Sequence, residues 1–341
     1  MNGSIHRLCR LLAAVLIAGT GTACAATPPY TERDEVRAFI GEMAGKHEFR
    51  TDELTALFRE VNFRSDIIDA MKRPAEKRAW HEYRPIFLND RRIDGGVSFR
   101  HEHGETLTRA EEEYGVPSEI VTAIIGVETL YGRNTGRHRV VDALATLAFD
   151  YPPRSTFFRG ELEQYLILAR EEGFDPLSIT GSYAGAMGAP QFIPSSYRHY
   201  AVDFDGDKQR DLLGNVTDAI GSVANYLHAH RWQRGAPIAS QVRPGVQVPA
   251  ELVARGIKPS LTVAEYAALG VITVDELPGD AAAAVIELEG AAGPEYWLGL
   301  DNFYAITRYN RSSLYAMAVY QLAAEIEAGY RKEAAAWSGT H

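Results

Sequence analysis

Cysteine is almost missing from this chain of 341 residues: Cys9 and Cys24 are the two it has, and both lie within the first 25 positions. The rest of the chain therefore cannot be a disulfide scaffold. Basic stripes are missing as well. Thirty-five Lys and Arg stand against 45 Asp and Glu, giving a net charge of −10, which argues against nucleic acid as a partner and against electrostatic attachment to anionic lipid. No internal repeat and no low-complexity tract is present. The apolar run Leu11 to Ala18 is too short to span a bilayer as a mature helix. Arg7 and Arg10 precede it and the small residues Gly19 to Ala25 follow, so residues 1–25 read as an export signal. Ala23-Cys24-Ala25 fits a small-x-small cleavage site, while Gly21-Thr22-Ala23-Cys24 is similar to a lipobox with Gly21 where Leu is usual. In the second case Cys24 becomes a lipidated first residue. A single Cys in an oxidising compartment tilts the reading toward lipidation, with both routes open. Loss of two Arg and no acid takes the net charge from −10 to −12.

What remains has the balance of a soluble globular protein, 46% apolar and 23% charged, with room for two or three domains. Tyrosine is abundant at 17 residues; a ring with a polar tip suits a sugar-binding cleft, although most such residues are half-buried at a surface. Residues 32–90 carry helical spacing (Glu35 to Met43, Asp52 to Val61), followed by a polar hinge, Asp90 to Gly96. Residues 97–232 are again mostly helical. Gly235 to about Gly293 is rich in Pro, Gly and Val, with Ala284 to Leu288 as a strand, and reads as a small β-containing insertion. Helical and aromatic patterns return over 294–329, and Arg331 to His341 is expected to fray. The expected fold class is mainly α (α+β).

One carboxylate stands out. Pro117-Ser118 opens a helix, and Ile120, Val121, Ile124, Ile125, Val127 and Leu130 make it apolar. Glu128 lies four residues after Ile124 and three after Ile125, so it projects from the buried face. Lost hydration raises the pKa of an unpaired carboxylate there and fits it for proton donation near neutral pH. The competing reading is a structural ion pair with Arg133 or Arg137. Further on, Gly181 to Tyr197 brackets Ser182 and Gln191 with Gly and Ala. That suits either close approach to a ligand or tight helix packing.

Taken together, Gly126-Val127-Glu128-Thr129, Asp142 to Leu147, Gly181 to Tyr197, Asp218 to Tyr226 and Arg308-Tyr309-Asn310-Arg311-Ser312 resemble the membrane-bound lytic murein transglycosylase B family, over about residues 35–325. The resemblance implies a lysozyme-like helical core (110–234 and 292–318), a flanking helical domain (30–109 with 319–330) and a small β-containing domain (235–291). It implies cleavage of the β-1,4 bond between N-acetylmuramic acid and N-acetylglucosamine with a 1,6-anhydro product. Glu128 falls on the family's catalytic position. Ser182, Gln191, Tyr83, Tyr226, Tyr309, Asn310 and Tyr315 fall on its substrate-binding positions. No cofactor is expected for catalysis. A lysozyme-type hydrolase and a non-catalytic peptidoglycan-binding scaffold are the alternatives.

Asp203, Asp205 and Asp207 occupy positions 1, 3 and 5 of an EF-hand-like loop, with Gln209 supplying a carbonyl and Asp211 at position 9. Lys208 replaces the usual Gly, and Gly214 stands where an acid would close the site. A solvated acidic turn is the plain reading; because the family carries a calcium loop here, weak structural calcium binding is expected. His101-Glu102-His103 and His228-Ala229-His230 lack the spacing of a transition-metal site. The expected setting is the periplasm, with or without an outer-membrane lipid anchor. The expected partners are glycan strands, with other cell-wall enzymes open, and the expected state is a monomer.

Overall fold

The computed structural model describes residues 28–72 and 78–338. The export signal, and Cys24 with it, lies outside the described residues. The N-terminal region is built from α1 (Asp34–His47), α2 (Thr51–Glu60), α3 (Ser65–Met71), α4 (Trp80–Phe87), α5 (Asp90–Glu102) and α6 (Gly104–Tyr114). In α2, Leu54, Leu57 and Phe58 share one face by their spacing of three and four. Phe58 packs edge-on against Phe39 of α1 at 5.9 Å.

The expected hinge at Asp90–Gly96 is instead the opening half of α5. The Asn89 side chain accepts from the Arg92 amide and caps it. The two glycines serve packing: a Cβ on Gly95 would stand 2.8 Å from the Tyr131 ring, and one on Gly96 2.5 Å from Ile326.

Then come α7 (Ser118–Thr129), β1 (His138–Arg139), α8 (Val140–Asp150), α9 (Ser155–Glu172), β2 (Thr180–Gly181), α10 (Pro194–Tyr200) and α11 (Val216–Ala229). Helix α7 is buried along nearly its whole length, as its unbroken apolar sequence requires. It stops abruptly because Leu130, Tyr131 and Gly132 take φ values of 52°, 60° and 81° in succession. Strands β1 and β2 pair antiparallel, His138 opposite Gly181.

The small lobe contains β3 (Ala239–Gln241), α12 (Ala250–Val253), β4 (Leu261–Thr262), α13 (Val263–Ala268), β5 (Ala282–Gly290) and β6 (Gly293–Leu300). Its antiparallel sheet runs β3-β6-β5-β4 over a separate core of Val242, Leu252, Tyr266, Val285 and Leu298. The expected strand Ala284 to Leu288 lies inside β5. Strand β6 carries the sheet to Leu300, past residue 291, where the helical core was expected to resume.

The chain closes with α14 (Asp301–Tyr309) and α15 (Ser313–Ser338). Tyr315, Ala316, Val319, Leu322, Ala323 and Ile326 form the buried face of α15; its alanines let it lie close against α4, α5 and α7. The tail expected to fray from Arg331 stays helical to Ser338, and residues 339–341 lie outside the described part.

Candidate active site

Glu128 sits one residue from the end of α7, with Thr129 the last. It is half-buried, between buried neighbours Val127 and Thr129. Burial raises its pKa to about 7, opposed by the one hydrogen bond the carboxylate accepts, from the Tyr315 hydroxyl at 2.7 Å. Among the described residues no cation pairs with it; Arg133 and Arg137, the candidates for a structural ion pair, do not. A carboxyl whose ionised form has a single phenolic partner stays half protonated near neutrality.

The surroundings of Glu128 are aromatic. Tyr315 is buried, and its ring stacks nearly parallel to Tyr309, 6.3 Å away at 8°. Burial first, then the charge of Glu128, pushes both phenols well above their usual range. Both therefore stay protonated donors. Tyr83 is buried on α4 and lies near enough to act electrostatically on Tyr315.

Several long-range bonds hold Glu128 in place. Thr129 donates its hydroxyl to the Ala189 carbonyl at 2.8 Å, which joins the last turn of α7 to the Gly181–Ile193 loop. Arg92 Nε donates to the Gly126 carbonyl at 3.0 Å, and the Tyr131 hydroxyl returns to the Arg92 carbonyl at 2.6 Å. The Tyr309 hydroxyl donates to the Pro190 carbonyl. Two glycines allow the close backbone approaches. A Cβ on Gly136 would fall 2.0 Å from Gly181, and one on Gly188 2.0 Å from the Leu212 carbonyl.

Within that loop, Ser182 and Gln191 make no hydrogen bond to Glu128. Ser182 Oγ accepts from the amides of Ala184 (3.2 Å) and Ala186 (3.0 Å). Gln191, at φ 52°, donates both amide hydrogens, to the carbonyls of Thr135 (2.9 Å) and Gly188 (3.0 Å). The Ser182 hydroxyl hydrogen and the Gln191 Oε1 are what these side chains have left to offer a ligand.

A groove of about 650 Å³ opens beside the tyrosine pair, lined by Gln191, Phe192, Tyr226, Tyr309 and Asn310. Tyr226 is locked in place: its hydroxyl donates to the Arg308 carbonyl, its ring meets Tyr309 edge-on at 4.8 Å, and it stacks on His230 at 4.2 Å. The groove also holds Arg154, Phe157, Arg308 and Arg311, which sequence reasoning missed. Arg308 and Arg311 flank Tyr309-Asn310, so their position was on view without any sign of which way they faced. Among the described residues no Asp or Glu lines this groove, Glu128 included; Glu128 is linked to it through Tyr315, the stacking partner of Tyr309.

In the acidic loop the structure brings Asp203 and Asp205 together with Asp218, their carboxylate oxygens within 4.8 Å of one another. Asp207 and Asp211 are not in that group. Asp207 accepts from the Gln209 amide, and Asp211 from the Leu213 and Gly214 amides. Both cap turns. Asp218 was missed because it lies on the first turn of α11, outside a window counted along the loop. Its two oxygens accept from the amides of Phe204 (2.7 Å) and Asp211 (2.8 Å). Lys208 takes φ 73° where a Gly is usual. The histidine pairs do not converge: His101 meets Glu333, His228 the Tyr114 carbonyl and His230 the Tyr226 carbonyl.

Residues 31–324 match the model of the transglycosylase SLT domain. The chain is 42% identical to membrane-bound lytic murein transglycosylase B of Escherichia coli strain K12 over 303 residues, 86% of this chain and 82% of that protein. The crystal structure of soluble lytic transglycosylase SltB1 from Pseudomonas aeruginosa superposes with a TM-score of 0.81 at 52% identity, covering 86% of this chain and 99% of that one. Lytic transglycosylase Slt35 of Escherichia coli, solved in complex with calcium, gives a TM-score of 0.79 at 41% identity, covering 89% of this chain and 94% of that one.

Proposed function

The chain belongs to the transglycosylase SLT domain family and is a lytic transglycosylase of peptidoglycan with a lysozyme-like fold, and from that premise we propose that Glu128 is the single acid and base of its reaction. The supporting observation is one carboxyl, held near neutral pKa by burial and bonded to Tyr315, whose stacking partner Tyr309 lines a groove with no carboxylate on its walls among the described residues. Most glycosidases use two.

Protonated Glu128 donates to the glycosidic oxygen between N-acetylmuramic acid and N-acetylglucosamine, and the C1–O bond breaks. The 2-acetamido oxygen of the muramic acid stabilises the cationic C1. The same sugar's 6-hydroxyl then attacks C1 and gives its proton to the Glu128 carboxylate, which restores the acid. A 1,6-anhydro end forms and no water is consumed. The donor from Tyr315 steadies the carboxylate form. Tyr226, Tyr309 and Asn310 offer ring edges and polar groups to the sugars, with Gln191 Oε1 and the Ser182 hydroxyl as remaining contacts, while Tyr83, buried on α4, backs Tyr315.

Asp203, Asp205 and Asp218 fit a hard divalent cation: three carboxylates converge at one end of α11, held in place by backbone amides. A calcium ion there would tie the Asp203–Asp211 loop to α11, a structural role. No helix among the described residues is long and apolar enough to cross a membrane. The export signal supports a periplasmic setting, with attachment through lipidated Cys24 as the anchored form.

Mass spectrometry of digested peptidoglycan tests the reading. Unsubstituted protein is expected to release muropeptides one water lighter than hydrolysis products. Hydrated ends would assign the hydrolase instead, and no release at all would favour the scaffold.

A further inference from the structure

A second pocket, of about 420 Å³, lies between the end of α11, the helix α14 and the Lys258-Pro259 turn of the small lobe. Its walls carry Arg231, Lys258 and Arg308 against one carboxylate, Asp301. None of the three cations makes an ion pair among the described residues, and the Asp301 carboxylate already accepts from the Gln233 side chain at 2.9 Å. In a chain with a net charge of −10, three unpaired cations around one cavity form a local field for anions.

The pocket is joined to the groove. Arg308 lines both cavities, and His230, on the pocket wall, is the ring stacked against Tyr226. Arg231 closes α11. Its φ of 69° is that of a left-handed helix cap, with its amide donating to the His228 carbonyl and the Trp232 amide to the Leu227 carbonyl, and this cap places a cation on the pocket wall.

Peptidoglycan glycan strands carry anions in one place beyond the sugar ring, on the peptide stems attached to the muramic acid lactyl group. We propose that this pocket binds a carboxylate of the peptide stem while the adjoining glycan lies in the groove. Arg231 and Lys258 hold the carboxylate, and Arg308 joins the two subsites. The proposal rests on the glycan-cleaving reading above. It also gives the small lobe a role, since Lys258 is the one cation of the three that the lobe contributes.

The test is binding, measured by calorimetry in the full chain carrying Glu128→Gln so that no cleavage occurs. Two peptidoglycan tetrasaccharides are compared, alike except that the stem carboxylates are free in one and amidated in the other. The free-acid form is expected to bind about tenfold tighter, the scale of two partly exposed charge contacts. Adding Arg231→Ala and Lys258→Ala should bring it to the affinity of the amidated form, which itself should not change. Both residues are exposed, so the core is untouched; Lys258→Glu alone should reverse the preference. Equal affinity for the two glycans with the pocket intact, or a preference that survives both alanines, overturns the proposal. Failure of either glycan to bind would overturn the glycan-cleaving reading as well.

Discussion

Glu128 lies at the end of a helix buried on nearly every side, with one phenol as its partner, whereas Asp203, Asp205 and Asp218 crowd together and accept N–H donors at close range. Asp203 takes the amides of Gly206 and Lys208, and Asp205 the Asp207 amide and the Asn215 side chain. The chemical group is the same in both regions. Asp205 is held below its usual pKa, chiefly by the Asn215 hydrogen bond, and remains an anion able to meet a cation. Glu128 is raised by burial to about 7 and can both hold and release a proton. Asp218 is intermediate: burial raises it, and the Phe204 and Asp211 amides oppose the rise. The number of N–H donors facing a carboxylate, set against the water it has lost, separates proton transfer from ion binding.

The sharpest break in this comparison is Glu128→Gln, which keeps the shape and removes the proton. Release of anhydro-muropeptides should fall by about 10²–10⁴-fold with glycan binding retained in calorimetry. A variant that still cleaves at a near-normal rate would remove Glu128 from the mechanism.

On the other side of the comparison, millimolar calcium should raise the melting temperature over a chelated sample by several degrees, about 2–3 kcal/mol if the ion is near a hundredfold above its Kd. Asp218→Asn should abolish the shift and Asp207→Asn should leave it. The reverse pattern would return the site to the ligand set counted along the loop.

A smaller effect comes from Tyr315→Phe, which deletes the one hydrogen bond that lowers the Glu128 pKa. Activity should drop by about tenfold. Its alkaline limb, which in the unsubstituted protein falls through about pH 7 as the acid is lost, should move to higher pH. An unmoved limb would show that another group carries the profile.

The smallest effect is on stability. The folded pKa of Glu128 is raised from 4.5 to about 7, so as pH rises through that window the unfolded chain ionises first and stability falls. Glu128→Gln should therefore be more stable than the unsubstituted protein above pH 7, by about 1 kcal/mol given its contact with solvent, with the gain vanishing below pH 4.5. Chemical denaturation at pH 4 and pH 8 measures it. A loss of stability at pH 8 would mean that the carboxylate has a structural partner.

How far each region could be read in advance depended on the span of its contacts. The apolar run around Ile124 and Ile125 placed Glu128 on the buried face of α7, because neighbours three and four apart share a helix face whatever surrounds it. Asp203 and Asp205 were equally plain from their alternation. The misreadings were local patterns overruled by distant chain. Asp90 to Gly96 carries the polar and glycine content of a hinge, yet it is helix, because Tyr131 and Ile326 press into the space its glycines leave. Arg308 and Arg311 were visible as basic residues, but nothing nearby in sequence says that they face the groove.

What the sequence determined by itself is the set of elements and their buried faces: the apolar α7, the Gly-bracketed loop at Ser182 and Gln191, the strand at Ala284 to Leu288 and the first acids of the loop, all governed by contacts within a few residues. Tertiary structure alone decided the chemistry. The Tyr315 hydroxyl reaches Glu128 across 187 residues of chain, and Tyr309 reaches Pro190 across 119. Asp218 joins Asp203 only when α11 packs beneath the loop. Desolvation and hydrogen bonding act over a few ångströms in space, and a carboxylate's role is set by whichever distant segments folding brings within that range.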